Sequence, residues 1–164
     1  MRIYLPATTI DLADDAGLSG RRAHACTQAV AAAHTDLEEG EFHALLAAAA
    51  GSLELVGRGS AGSRHAVGID DSPRSTLHPL RVVVAADVDD AGIVAGGEPP
   101  SAVQAPPVNW SQVASFHVDD PDDDDGRELL RRAVAGDAGA AAGVAQLDLL
   151  WYDVTEREHL LRLC

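Results

Sequence analysis

The chain has 164 residues, 46% of them hydrophobic but only 4% aromatic, and a formal net charge of −14. This length fits one domain, whose core must be rich in alanine. All 12 basic residues are arginine, which excludes Schiff-base and phosphate-loop lysine chemistry, and the acidic balance argues against binding to nucleic acid or to an anionic membrane.

The first part of the chain predicts a strand and two helices. Residues 1–7 alternate between the two sides of a strand. Thr8 or Thr9 can cap a short helix that follows it. Residues 23–30 fit a weak strand or a helix. Residues 37–56 carry apolar side chains at three- and four-residue steps, which predicts the clearest helix of the chain.

The centre of the fold is predicted at residues 80–90, which contain an unbroken β-branched run of three valines. Apolar residues at both parities are typical of a strand that is covered on both faces. The other elements predicted beyond it are strands at 93–95, 114–119 and 147–154, a helical turn at 110–113, helices at 126–135 and 156–163, and a loop at 138–146.

Two segments lack periodicity and are rich in glycine, serine or proline. We expect residues 57–79 and 96–108 to be flexible connections within the domain. Outside these two segments, the order of strands and helices predicts an α/β fold, and an α+β fold is the near alternative. It is a single domain over residues 1–164, with a mixed sheet of about four to six strands and helices packed on it.

The two cysteines, Cys26 and Cys164, have no metal-binding spacing. The first residues are too short an apolar stretch for a secretory signal, and no apolar run approaches the ~18 residues of a membrane helix. The sequence therefore predicts a cytoplasmic protein with free thiols, while a disulfide between Cys26 and Cys164 stays open.

Four strings of the sequence are distinctive: M-R-I-Y-L-P-A-T, R-V-V-V-A-A-D-V, W-S-Q-V-A-S-F-H-V-D-D and L-L-W-Y-D. In these strings the chain resembles a group of uncharacterised actinobacterial proteins. The resemblance covers the predicted elements and skips both flexible connections. It implies no activity, and no catalytic residue is carried over from it.

Three local motifs come near known ligand-binding patterns. Gly57, Gly59 and Gly62 have dinucleotide-binding spacing, but they follow a helix instead of a strand. Residues 87–98 come near a calcium loop, with Asp87 and Asp89 as its first acids, but a hairpin turn explains them. The aspartates of residues 119–125 are expected to cap the next helix. The sequence therefore predicts no metal or cofactor site. If the protein binds a metal, Asp87 and Asp89 are the candidate ligands.

His117 is the candidate for a catalytic base. On a strand it shares one side with Ser115 and Asp119, which would assemble a serine, a histidine and a carboxylate. Neighbours two apart point in parallel and seldom converge on one substrate atom, and the chain has no G-x-S-x-G elbow. A small hydrolase or metal-assisted enzyme using His117 with Asp119, Asp87 or Asp89 at the strand ends is therefore the alternative function.

The leading prediction is a non-catalytic binding or regulatory module that acts by protein–protein contact, including self-association. It has no cofactor and binds neither nucleic acid nor membrane. Its candidate contact residues are the aromatic side chains Tyr4, Trp110, Trp151 and Tyr152, although core packing would also explain each of them.

Overall fold

The computed structural model describes residues 1–63 and 79–163. Within them, the strands are β1 (Arg2–Ala7), β2 (Arg21–His24), β3 (Val82–Asp87), β4 (Val94–Ala95), β5 (Ala102–Ala105), β6 (Val113–Val118) and β7 (Leu150–Asp153). The helices are α1 (Thr9–Leu12), α2 (Gln28–Ala33), α3 (Leu37–Ser63), α4 (Asp124–Val134), α5 (Ala138–Val144) and α6 (Arg157–Leu163).

All seven strands form one sheet in the order β4-β5-β2-β1-β3-β6-β7. The prediction of one sheet with helices packed on it is confirmed. The sheet has seven strands where about four to six were expected. Every neighbouring pair is antiparallel, which is the arrangement of the α+β alternative.

The valine-rich strand β3 lies inside the sheet, next to the middle strand β1, and its sequence predicts such an interior position. It pairs with β1 on one side and with β6 on the other, and Val82 through Ala86 are 0% exposed. Val82 and Val84 face one core, while Val83 and Ala85 face the other. Burial on both faces explains why this strand is apolar at both parities.

The larger core lies on the face of the sheet that carries Ile3, Leu5 and Phe116. Leu12 of α1 and Leu160 of α6 close this side. Thr8 caps α1 together with Asp11 in a reciprocal capping box, as predicted for Thr8.

The opposite face, called the α3 face below, is covered by α3 through small side chains. Ala44 and Ala48 pack on Val83 and Ala85. The Ser52 hydroxyl donates to the Ala7 carbonyl at 2.7 Å and accepts from the Val82 amide at 2.8 Å. The helix is thus bonded to the end of β1 and the start of β3, which fixes its position on the sheet.

A buried ion pair joins the start of β3 to the end of β6. The Arg81 and Asp119 side chains are 3% and 5% exposed, with 2.6 Å between Nη2 and Oδ1. Asp119 also accepts from the Arg81 amide at 2.6 Å, and Arg81 donates to the Leu147 carbonyl at 3.2 Å. These bonds compensate the cost of burying two charges.

The structure corrects several predicted boundaries. Helix α3 continues through residues 57–63, and residues 64–78 and Cys164 lie outside the described residues. The segment 96–108 contains β5, which is mostly buried and pairs with β2. It therefore holds an ordered strand where a flexible connection was expected. Residues 138–144, predicted as a loop, form α5, and residues 23–30 divide between β2 and α2.

Among the described residues, no helix is both long and apolar enough to cross a membrane.

Candidate functional site

A row of polar side chains crosses the α3 face. Residues that lie opposite each other on neighbouring strands have their side chains on the same face of the sheet. The row runs through His24, Tyr4, Ala85, Ser115 and Asp153. Because α3 packs over its middle, the two ends of the row are the places where a ligand could reach the sheet.

In the covered part of the row, Tyr4 is buried and its hydroxyl lies 3.5 Å from a Glu41 carboxylate oxygen on α3. Burial and the nearby Glu41 charge raise the pKa of Tyr4 to about 12. Tyr4 was predicted as an exposed contact residue, but it packs in the core beneath α3, because its position on β1 faces the helix.

Next to Tyr4, the Arg2 guanidinium binds Asp87 through two hydrogen bonds of 2.7 and 2.8 Å. These bonds hold the pKa of Asp87 below its usual value. Asp89 instead accepts from the Ala91 amide at 3.0 Å in a turn. Asp87 and Asp89 therefore bind different partners. Within residues 1–63 and 79–163, no group of three His, Cys, Asp or Glu side chains is arranged to hold a metal ion.

On β6, the structure brings two of the three candidate catalytic residues together. Ser115 Oγ lies 3.3 Å from His117 Nε2. Burial and the Arg2 charge lower the pKa of His117, which favours the neutral base. The Asp119 carboxylate is engaged by Arg81 in the buried ion pair, so it does not serve as the group that would orient His117.

Of the other three candidate contact residues, two are half-buried and one is exposed. Trp110 is half-buried: its ring packs on Phe116, Arg157 lies over it at 4.2 Å, and its indole N–H donates to the Asp14 carbonyl. Tyr152 is half-buried against the larger core. Trp151, by contrast, is 60% exposed at the end of the sheet, aligned with His117.

At the other end of the row, a groove of about 920 Å³ lies between α3 and β2. Its charged lining residues are Arg21, Arg22, Arg58, Asp11 and Glu54, and His24 also lines it. The sequence analysis did not predict this groove, because its two walls, α3 and β2, are far apart in the chain. The adjacent arginines Arg21 and Arg22 are a local feature that marks one wall.

A second, smaller cavity of about 310 Å³ lies between the end of β6, α4 and the segment before β7. Two of its aspartates have structural partners: Asp119 binds Arg81, and Asp123 caps α4 by accepting from the Gly126 amide at 3.0 Å. This confirms the expected capping role at the end of the aspartate run.

Comparison with known proteins supports the resemblance found in the sequence. A family model described as a family of unknown function, DUF6912, matches residues 1–161. The chain belongs to this family. The predicted membership of an uncharacterised family is thereby confirmed. No curated protein and no solved structure matches the DUF6912 chain.

Proposed function

We propose that this DUF6912 protein is a cytoplasmic protein-binding module that accepts an extended segment of a partner along the outer edge of β7. The supporting observation is Trp151, which is 60% exposed on the last strand of the sheet, beside Leu150, which is 39% exposed. An edge strand presents backbone N–H and C=O groups to a further strand. Tryptophan is also the side chain that most often anchors a protein interface.

The charge around β7 indicates the chemistry of the partner. Residues 148–158 include Asp148, Asp153, Glu156 and Glu158 but only one arginine, Arg157. That arginine is bound to Asp15 and to carbonyls of the α1 segment. An extended segment with lysine or arginine at its ends would therefore meet complementary charge along this edge.

The same charges disfavour a second copy of the chain as the partner. Two antiparallel β7 strands would bring the Asp148 end of each copy toward the Asp153 end of the other. Like charges across a strand pair are destabilising, and each copy adds a net charge of −14. The proposed partner is therefore a different protein with a basic segment, and not a second copy of this chain.

A display library of random ten-residue peptides tests this function. We expect enrichment of basic peptides with alternating β-branched residues, whose binding shifts the NMR signals of Leu150–Asp153. Trp151→Ala should weaken a selected peptide by about 30-fold, the effect of losing an interface anchor. Phe42→Ala is the matched control, because Phe42 is an aromatic residue of similar exposure, 57%, that belongs to α3 and not to β7.

Three results would overturn the proposal: no enrichment, selected peptides that map outside β7, or equal losses in the two variants. A dimer of the protein that depends on Trp151 would also overturn it, since the partner would then be a second copy.

A further inference from the structure

The groove between α3 and β2 is of the right size for a small ligand. Its volume of about 920 Å³ lies in the range of small-molecule sites. Much of its wall is apolar, with Pro6, Ile10, Ala50, Leu55 and Pro99 among the lining residues. The apolar wall would suit the body of an organic molecule, and the few charged groups would decide its orientation.

The arginines of the groove are not equivalent. The Arg21 guanidinium binds Asp11 at 2.7 Å, and Arg58 binds Glu54 at 2.9 Å. Arg22 has no carboxylate partner among the described residues; it donates to the backbone carbonyl of Glu98. Among the described lining residues, three arginines face two carboxylates, and the positive charge without a carboxylate partner there is that of Arg22.

His24 supplies a second polar group beside Arg22. The two residues are two positions apart on β2 and therefore project to the same face. His24 is 5% exposed, and its Nδ1 lies 2.9 Å from the buried Ser101 hydroxyl. We assign this hydroxyl as the donor to Nδ1, which leaves the proton on Nε2, because no other acceptor for it lies among the described residues.

The Nε2 atom has no hydrogen-bond partner in the described chain, where every fully buried side-chain N and O atom has one. Nε2 is therefore not fully buried, and because His24 lines the groove, we infer that this atom faces it. An arginine without a carboxylate partner and an imidazole N–H on the same face offer two hydrogen-bond donors, and a carboxylate has two oxygens that can accept from them.

We propose that this groove binds a small organic carboxylate with an apolar body, held by Arg22 and His24. The unpaired positive charge of Arg22 matches a ligand with one negative charge. A phosphate dianion would require a second positive charge. The site lies on the opposite side of α3 from β7, so it is independent of the peptide edge proposed above.

Displacement of a fluorescent probe tests the site in the full chain. Anilinonaphthalene sulfonate combines an apolar body with one negative charge and should bind in the groove. Phenylbutyrate should displace it, and phenylbutylamine, which has the same body and the opposite charge, should not. Arg22→Gln should weaken phenylbutyrate binding at least about tenfold, as for the loss of a charged hydrogen bond.

Two further variants make the result specific. Arg162→Gln is the matched control, because Arg162 lies on α6 and also has no ion pair among the described residues. It should leave binding unchanged. Ala50→Phe places an aromatic ring in the groove from an exposed helix position and should abolish binding without altering Arg22.

Equal displacement by the acid and the amine would overturn the proposal, as would full binding by the Arg22→Gln or Ala50→Phe variant. Absence of probe binding to the native chain would overturn it as well. Circular dichroism of each variant separates a lost site from a lost fold.

Discussion

His24 is a buried histidine that the fold keeps neutral. Burial lowers its pKa to about 4, and the charge of Arg22 and the neighbouring His43 act in the same direction. In the unfolded chain its pKa returns to about 6.5. Between these values the unfolded chain binds a proton that the native protein does not, so stability must fall as the pH decreases from 6.5 toward 4.

The variant His24→Asn removes this proton uptake and keeps a side-chain group near the position of Nδ1. We expect the wild type to lose about 2 to 3 kcal/mol more stability than the variant between pH 7 and pH 4.5. Urea unfolding of both proteins at the two pH values measures the difference. Equal losses would show that His24 is not the proton acceptor.

At the scale of elements, the glycines of α3 have two different roles. A Cβ atom on Gly51 would lie 2.8 Å from Pro6 Cγ, a rigid ring atom on the sheet, whereas a Cβ on Gly57 would meet nothing within 4 Å. Gly51 is therefore required for the close approach of α3 to β1. Gly57 is not required, and it costs helix stability.

Alanine substitutions separate the two roles. Gly51→Ala should destabilise the protein by about 1 to 3 kcal/mol through overpacking. Gly57→Ala should stabilise it by about 0.5 to 1 kcal/mol through helix propensity. Thermal unfolding of the two variants tests this difference. Similar shifts of the melting temperature for both would contradict the proposed contact between α3 and Pro6.

Element prediction succeeded where the signal is local and failed where packing supplies the reason. The helical periodicity of α3 and the capping chemistry of α1 are visible in sequence. The buried face of α3 is not, because the helix packs on the sheet through Ala44 and Ala48, whereas Phe42 of the apolar stripe is 57% exposed. Helix α5 consists of alanine, glycine and one valine, so it has little periodicity; Asp137 caps it, and Gly143 lets it approach Leu129. Strand β5 has four residues between proline-rich stretches and is defined by pairing with β2.

For the whole molecule, we propose that the chain is one domain that unfolds cooperatively. The central strands β1 and β3 are buried and paired on both sides, whereas β4 is a two-residue, exposed edge. Amide hydrogen exchange should be slowest in β1 and β3 and fastest in β4. Circular dichroism and tryptophan fluorescence should report one common urea transition. Two separate transitions would contradict a single domain.

The sequence by itself determined the features that depend on neighbouring residues. The alternation of β1, the buried character of β3, the helical state of α3 and the caps follow from backbone periodicity and local hydrogen bonds. It also carried the membership of the DUF6912 family, since that is a property of the residue string.

Which distant groups contact each other depends on tertiary packing. Asp119, predicted beside His117, is bound by Arg81 from another strand, 38 positions away. Trp151 is distinguished from Trp110 by exposure alone, which depends on the surrounding packing. The groove between α3 and β2 forms because α3 packs on the sheet next to β2. Such contacts join residues across long loops, and local patterns carry no information about them.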